Sequence, residues 1–200
     1  MTQAKTNTNR KEITGDDRAY IRSLFPELKE ISDRGLADEV VEIWAEVWKE
    51  SPWDRIEDAP KNPESVGLRH KLIPHTRSVT QQAIASAKAV QQFHGLAVNM
   101  DLLVAGGLLH DVSKLLEYSP AEGGAAKSQH GKLIQHGMYG VHKGFEHNLP
   151  IELVHMISSH TTQSRHHPST LEAIILHYVD YLDSDVLVWE AGGQLLLTKR

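Results

Sequence analysis

Cysteine is absent from the 200-residue sequence, and this absence narrows the chemistry that the chain can perform. Without thiols there is no disulfide, no thiolate zinc site and no cysteine nucleophile, so a bound metal must take nitrogen or oxygen ligands. No segment approaches the about 20 consecutive apolar residues that span a bilayer, and the start lacks the apolar core of a signal peptide. We therefore expect a cytoplasmic protein with no membrane partner.

A surplus of basic residues is also lacking, because the formal net charge is −5. Nucleic acid is therefore not expected as the main partner, although a local basic pocket would suffice for short oligonucleotides. With 40% hydrophobic and 24% charged residues, the composition is that of a globular protein. The length favours one domain, or one domain with a helical extension.

Apolar residues recur at three- and four-residue spacing through most of the chain, which predicts an all-α fold. We expect residues 1–14 to be disordered, residues 15–68 to form an N-terminal helical extension packed on the core, and residues 69–186 to form the main helical domain. Residues 187–200 are expected to form a short tail. A β-hairpin around the sequence AGG and a docked strand or helix are alternatives for this tail.

Several local patterns refine this expectation. Helices are predicted over residues 16–25, 36–49, 75–93, 99–118, 133–146, 150–160 and 169–185. The Gly- and Ala-rich stretch SPAEGGAAKSQHGK is predicted to be a loop, and Ser169 with Glu172 has the spacing of a capping box. Gly106 and Gly107 would each cost about 1 kcal/mol in an isolated helix, so we expect close helix contact or a nearby ligand to compensate.

Thirteen histidines, dispersed from His70 to His177, are the unusual feature of the composition. The inward apolar stripes of five predicted helices each contain or end in a histidine or an aspartate. Buried polar groups must be paired or bound, and no lysine or arginine is assigned to these stripes, so the set indicates a metal site. Its nitrogen content favours Mn, Fe, Co, Ni or Zn over magnesium. The six residues are His75, His110, Asp111, His136, His160 and Asp180.

The order of these residues resembles that of the HD superfamily of metal-dependent phosphohydrolases. The resemblance consists of a first histidine, the adjacent pair in LLHDVSK, one histidine in LIQHGMYG, another in MISSH, and the aspartate in LHYVDYLD. It covers about residues 70–185. Two local strings, LIQHGMYG and TLEAIILHYVDYLD, look most like the HD domain of bacterial exoribonucleases of the YhaM type. The resemblance implies a helical HD domain within residues 69–186.

The resemblance also implies a role for each ligand. One metal would be held by His75, His110, Asp111 and Asp180, and a second, where present, by His136 and His160 with Asp111 bridging. A water activated by the metal would be the nucleophile, and Asp111 would orient it as well as bind metal. Many family members with two metals have two consecutive histidines where Thr161 follows His160 here, so the sequence leaves one or two ions open.

Four basic residues are candidates for contact with a negatively charged substrate. Lys114 matches a lysine that often follows the HD pair, and it is expected to contact a phosphate oxygen as part of the catalytic group with Asp111. Arg77 lies beside the first ligand, whereas Lys132 and Arg165 belong to loops expected to border the site. His166 and His167 could also add ligands from the last of these loops.

Three functions are weighed on this pattern. The leading hypothesis is an enzyme that hydrolyses a phosphomonoester or phosphodiester, with a small phosphorylated molecule or a short nucleic acid as substrate. The same ligand pattern resembles di-iron oxygenases of the superfamily, such as inositol oxygenase, which act on an anionic or polyol substrate. A degenerate HD fold that serves as a sensor is the third, and it would have lost ligands. The sequence leaves a homo-oligomer open.

Overall fold

The computed structural model describes residues 12–161 and 164–198 and is predominantly helical, which confirms the predicted fold class. Most of the expected disordered segment, residues 1–11, lies outside the described residues. The α-helices are α1 (Gly15–Leu24), α2 (Arg34–Glu50), α3 (Pro63–Val66), α4 (Leu72–His94), α5 (Met100–Leu109), α6 (Lys114–Glu117), α7 (Gln129–Leu133), α8 (His136–Glu146), α9 (Ile151–Ser159) and α10 (Leu171–Glu190). Two strands, β1 (Tyr118–Ala121) and β2 (Gly124–Lys127), form an antiparallel hairpin. None of the helices described is long and apolar enough to cross a membrane.

The N-terminal helices are held by local capping and by a shared apolar core. Thr14 and Asp17 form a capping box at the start of α1, and Asp33 caps α2 by accepting a hydrogen bond from the Leu36 backbone. The apolar face of α2 is buried in the same hydrophobic cluster as α5 and α9. The Trp44 indole donates to the carbonyl oxygen of Leu108 at 2.9 Å. The N-terminal layer is thereby tied to the end of α5.

Helices α4, α5, α9 and α10 pack around the position of the site. Helix α4 packs against α5 and α10, which also contact each other, and α8 packs on α9. A Cβ atom added to Gly107 would lie 2.8 Å from Thr80 Oγ1 and 3.1 Å from Thr80 Cα, so α4 and α5 approach closely. This confirms the expectation that close helix contact accompanies Gly106 and Gly107.

The structure corrects two expectations about the region between α5 and α9. The stretch that was expected to be a loop contains the β1–β2 hairpin, which turns at Gly123 with a φ of 82°. The helix expected over residues 133–146 begins only at His136, because Ile134 and Gln135 are extended and separate it from α7. The first residue of α8 is thereby placed directly against the end of α9.

Helix α10 differs from expectation at both ends. Its cap is Thr170 and not Ser169, because the Thr170 side chain accepts the Ala173 backbone N–H. At the other end the helix continues to Glu190, and no hairpin forms in the described part of the tail. The AGG sequence is a helix stop: Gly192 has a φ of 72°, and Gly193 N–H donates to Val188 O at 2.9 Å. This is a Schellman arrangement, which uses the same glycines that a hairpin turn would use.

Candidate metal centre

The six side chains expected to bind metal converge in the structure as two adjoining groups. His75 on α4, His110 after α5 and Asp180 on α10 offer ligand atoms within 4.8 Å of one another. Asp111, His136 at the start of α8 and His160 after α9 form the second group by the same measure. All six are buried or nearly so. Residues distant in the sequence are thus concentrated at one point.

Asp111 lies between the two groups and faces each with one oxygen. Its Oδ2 is 3.2 Å from His75 Nε2 and 3.5 Å from His110 Nε2. Its Oδ1 is 3.4 Å from the Nε2 atoms of both His136 and His160. A carboxylate in this position can bridge two cations.

The four histidines all turn the same ring nitrogen towards the centre. The Nδ1 atoms of His110 and His160 lie 2.8 Å from the carbonyl oxygens of Gly107 and Ile157, which can only accept a hydrogen bond. Nδ1 therefore carries the proton in these two rings, and Nε2 presents its lone pair inward. This orientation is the usual one for metal-binding imidazoles.

Carboxylates orient the other two rings. His75 Nδ1 donates to Asp183 Oδ2 at 2.6 Å, and the same carboxylate accepts a hydrogen bond from Ser78 Oγ. His136 Nδ1 lies 3.3 Å from Glu117 Oε2. The His75–Asp183 pair has the geometry of the carboxylate–histidine contacts that support metal ligands, and Glu117 is an ionic partner of His136.

Unsatisfied polar atoms at the centre provide a test of whether a metal fits. Asp111 Oδ1, His136 Nε2 and His160 Nε2 are fully buried and have no hydrogen-bond partner. Leaving such an atom unpaired costs about 1–3 kcal/mol. One cation among the three would satisfy all of them, so the residues present fit a divalent metal bound by nitrogen and oxygen.

The charge states of the carboxylates agree with this fit. Burial raises the pKa of Asp111, but Lys114 and His110 outweigh it and hold the pKa well below its usual range. Burial likewise opposes the ionisation of Asp180, but His75 and His110 keep its pKa far below normal. Both groups are therefore anionic at neutral pH, as metal ligands must be.

The pKa of His75 shows how strongly the carboxylates favour a positive charge at the centre when no metal is bound. Burial and the nearby Lys61 lower this pKa, but Asp111, Asp180 and Asp183 together raise it to about 9. The cluster of carboxylates thus attracts a positive charge at this point. A proton on His75 Nε2 and a metal ion are alternative ways of supplying it.

A cavity of about 120 Å³ lies over the centre and is lined by charged side chains from several elements. Its lining includes Lys61, Asp111, Lys114, Asp180, Tyr181 and Ser184. Lys114 is buried, and its Nζ lies 3.8 Å from Asp111 Oδ1 and 3.5 Å from Glu117 Oε2. Burial lowers the pKa of Lys114, but Asp111 and Glu117 outweigh it and raise the pKa above the ordinary value. An ammonium group therefore stands at the cavity wall.

The other three expected substrate contacts do not reach this cavity. Arg77 donates to Glu27 Oε1 at 3.0 Å, because two residues along a helix turn its side chain roughly 200° away from His75. Lys132 on α7 is exposed, and Arg165 is also exposed. Neither contributes to the cavity lining among the described residues. His166 and His167 are likewise exposed.

Three residues at the centre escaped the sequence analysis. Asp183 and Glu117 lie three residues after Asp180 and Lys114 on the same helices, and this spacing is a signal that could have found them. Lys61 is 6% exposed and lines the cavity. It belongs to a proline-rich connection, where helical periodicity gives no information about the direction of a side chain. Lys61 was therefore not among the basic residues expected at the site.

Comparison with known proteins assigns the fold to a family. The HD domain family matches residues 72–185, which is more than half of the chain and includes all six clustered residues. The protein therefore belongs to the HD domain family.

Two curated relatives are similar over this region. The chain is 33% identical over 129 residues to a dihydroneopterin 2',3'-cyclic phosphate phosphodiesterase of Methanocaldococcus jannaschii, covering 62% of this chain and 52% of the relative. It is 31% identical over 134 residues to a 3'-5' exoribonuclease YhaM of a Geobacillus species, covering 61% of this chain and 41% of the relative. The matched region thus spans about half or less of each relative's length. No solved structure matches the chain significantly.

Proposed function

We propose that this protein is a metal-dependent hydrolase of phosphate esters, and that its substrate is a phosphodiester. The observation that carries the proposal is the cluster of four inward-turned histidines and two ionised aspartates beneath a cavity that Lys114 lines. Both curated relatives are named for the cleavage of a phosphodiester, one in a cyclic phosphate and one in RNA. These names favour hydrolysis over the oxygenase alternative.

Each clustered residue has a role in this proposal. His75, His110, Asp111 and Asp180 would hold one divalent transition metal, with manganese or iron as first candidates, and His136 and His160 would hold a second that shares Asp111. Such ions lower the pKa of a bound water towards neutrality and polarise the phosphoryl oxygens. Asp111 orients the attacking water through a carboxylate oxygen. Lys114 donates a charge-assisted hydrogen bond to a phosphoryl oxygen, where negative charge builds up.

The size of the cavity limits which part of the substrate enters. Pockets that enclose whole drug-sized ligands measure about 300 to 1,000 Å³, whereas this one measures about 120 Å³. The phosphoryl group therefore enters, and the organic groups that it joins stay at the mouth. A small cyclic phosphate or the end of a short oligonucleotide fits this arrangement. The net charge of −5 disfavours a long nucleic acid.

The test uses protein purified without a histidine tag or chelator. We expect elemental analysis to find about one to two equivalents of transition metal per chain, most of it lost in His110→Ala. We expect the metal-loaded protein to hydrolyse bis(p-nitrophenyl) phosphate and a 2',3'-cyclic nucleotide, and Asp111→Asn to lower kcat by at least about a hundredfold. Lys132→Ala is the matched control, because this exposed residue lies outside the cavity.

Two results would contradict the proposal. Unchanged hydrolysis in Asp111→Asn would show that the activity arises elsewhere. Bound iron with oxygen consumption, but no cleavage of either ester, would favour an oxygenase instead.

A further inference from the structure

Lys61 reaches the cavity from a segment that precedes the family match at residues 72–185. The backbone fixes its position: Lys61 N–H donates to His70 O at 3.0 Å, and Leu72 N–H donates to Ala59 O at 2.9 Å. These bonds pair residues 59–61 with the chain that leads into α4. Because α4 carries His75, the backbone of Lys61 is held beside the metal centre.

The side chain of Lys61 is buried without an anionic partner. Its ammonium group donates to Ser184 Oγ, and Ser184 Oγ in turn donates to Asp180 Oδ1 at 3.4 Å. Across the described parts of the chain, no carboxylate lies within 4.0 Å of Lys61 Nζ, whereas Lys114 has two. An ammonium has three N–H donors, and a buried charge that is not paired carries a large desolvation cost. Burial lowers the pKa of Lys61, and the more distant Asp180 and Asp111 offset this only in part.

The position of this unpaired cation matches what an anionic ligand would need. Lys61 lines the cavity next to Ser184 and Asp180, whereas Lys114 lines it next to Asp111 and Glu117. A phosphoryl group in the cavity would therefore meet one ammonium on the Asp180 side and another on the Asp111 side. Lys61 differs from Lys114 in that its ammonium group has a hydroxyl, and not a carboxylate, as its near partner.

We propose that Lys61 binds a non-bridging phosphoryl oxygen of the substrate, so that the connection before the HD domain completes the anion site. The inference rests on the proposed function, whose substrate site it deepens. In this arrangement Lys61 is a substrate-binding residue, and Ser184 positions it. Its bond to the anion supplies the direct ion pair that the nearby carboxylates do not form with Lys61.

The test measures the binding of inorganic phosphate to the metal-loaded protein by calorimetry. Lys61→Met removes the charge, and Lys61→Gln removes it while keeping a donor for Ser184. We expect both variants to retain their metal and to weaken phosphate binding by about tenfold or more, as for the loss of a charge-assisted hydrogen bond. Lys71→Met is the matched control: it removes a lysine charge from the paired strand-like segment, but Lys71 Nζ donates to Asp58 O outside the cavity.

The outcomes separate this inference from the proposed function. Phosphate affinity equal to wild type in either Lys61 variant, an equal loss in Lys71→Met, or loss of metal from both Lys61 variants overturns the role of Lys61. Hydrolysis by wild type with unaltered phosphate binding in Lys61→Gln overturns this inference alone. Phosphate binding that depends on Lys61, in a protein that cleaves no ester, overturns the proposed function and leaves the anion site standing.

Discussion

One carboxylate restrains the Nδ1 side of the His75 ring. Asp183 accepts the Nδ1 hydrogen of His75 and is itself held by Ser78 Oγ and by Gln82 Nε2 at 3.0 Å. In Asp183→Ala the imidazole loses this restraint, and we expect metal affinity to fall by about 10- to 100-fold. Competition with a chelator of known affinity measures the change.

Asp185→Ala is the control for this substitution. Asp185 lies two residues further along α10 and accepts the Leu196 N–H at 2.6 Å, and within the described residues it has no hydrogen bond to a clustered residue. We expect it to leave metal affinity unchanged. Equal retention of metal by the two variants would show that the ring of His75 is held by packing and not by Asp183.

At the scale of residues, the sequence predicted the six clustered side chains, because they project from helices and follow the order of a known family. His110 and Asp180 end or interrupt apolar stripes, so their inward direction follows from periodicity. Arg77 is close to His75 in the sequence, but two residues along a helix turn its side chain away from the centre. Lys61 could not be found, because its direction depends on pairing with residues 70–72, which is a tertiary contact.

The contact between α4 and α5 makes a prediction about two neighbouring glycines. A Cβ at Gly107 meets the buried and hydrogen-bonded Thr80, including its Cα, whereas a Cβ at Gly106 meets mainly the flexible end of Met156. Replacing glycine by alanine gains about 1 kcal/mol of helix propensity, but overpacking costs about 1–3 kcal/mol. We expect Gly107→Ala to lower the free energy of unfolding and Gly106→Ala to change it little.

Urea denaturation of both variants measures this difference. Gly107 O also accepts the Nδ1 hydrogen of His110, so displacement of α5 should weaken metal binding in Gly107→Ala as well. If the two variants unfold at the same urea concentration, the close approach of the helices does not limit stability.

At the scale of elements, periodicity predicted the long helices well and the short elements poorly. Helix α2 was expected over residues 36–49 and extends by one or two residues at each end. The β1–β2 hairpin was missed, because its small residues carry no alternating pattern of hydrophobic side chains. The glycines of AGG suit both a hairpin turn and a helix cap, and here they end α10, on which Val188 is buried.

The whole molecule is organised around one core that reaches the metal centre. Apolar residues from α1 and α2 belong to the same buried cluster as those of α5, α9 and α10. Trp44 on α2 bonds the carbonyl of Leu108, two residues before His110. The centre is thus supported by helices outside the region that matches the family.

Because the six clustered residues come from α4, α8 and α10 and from the ends of α5 and α9, a bound metal would cross-link most of the bundle. A ligand that binds only the folded state stabilises it by about 2.7 kcal/mol at a concentration of 100 Kd. For a chain of this size each kcal/mol raises Tm by about 2–4 °C, so we expect saturating manganese to raise Tm by roughly 5–10 °C. Calorimetry of chelator-treated protein with and without manganese measures the shift.

Two comparisons make this last prediction specific to the centre. In His110→Ala the shift should largely vanish. In His142→Ala it should persist, because His142 is exposed and pairs with Glu146, one turn further along α8. Calcium should stabilise less than manganese, because the inward donors include four nitrogens and calcium prefers oxygen. Two results would contradict this prediction: an equal rise in Tm with manganese and calcium, or an equal rise in the two histidine variants. Either would mean that the ions bind carboxylates at the surface and not the buried cluster.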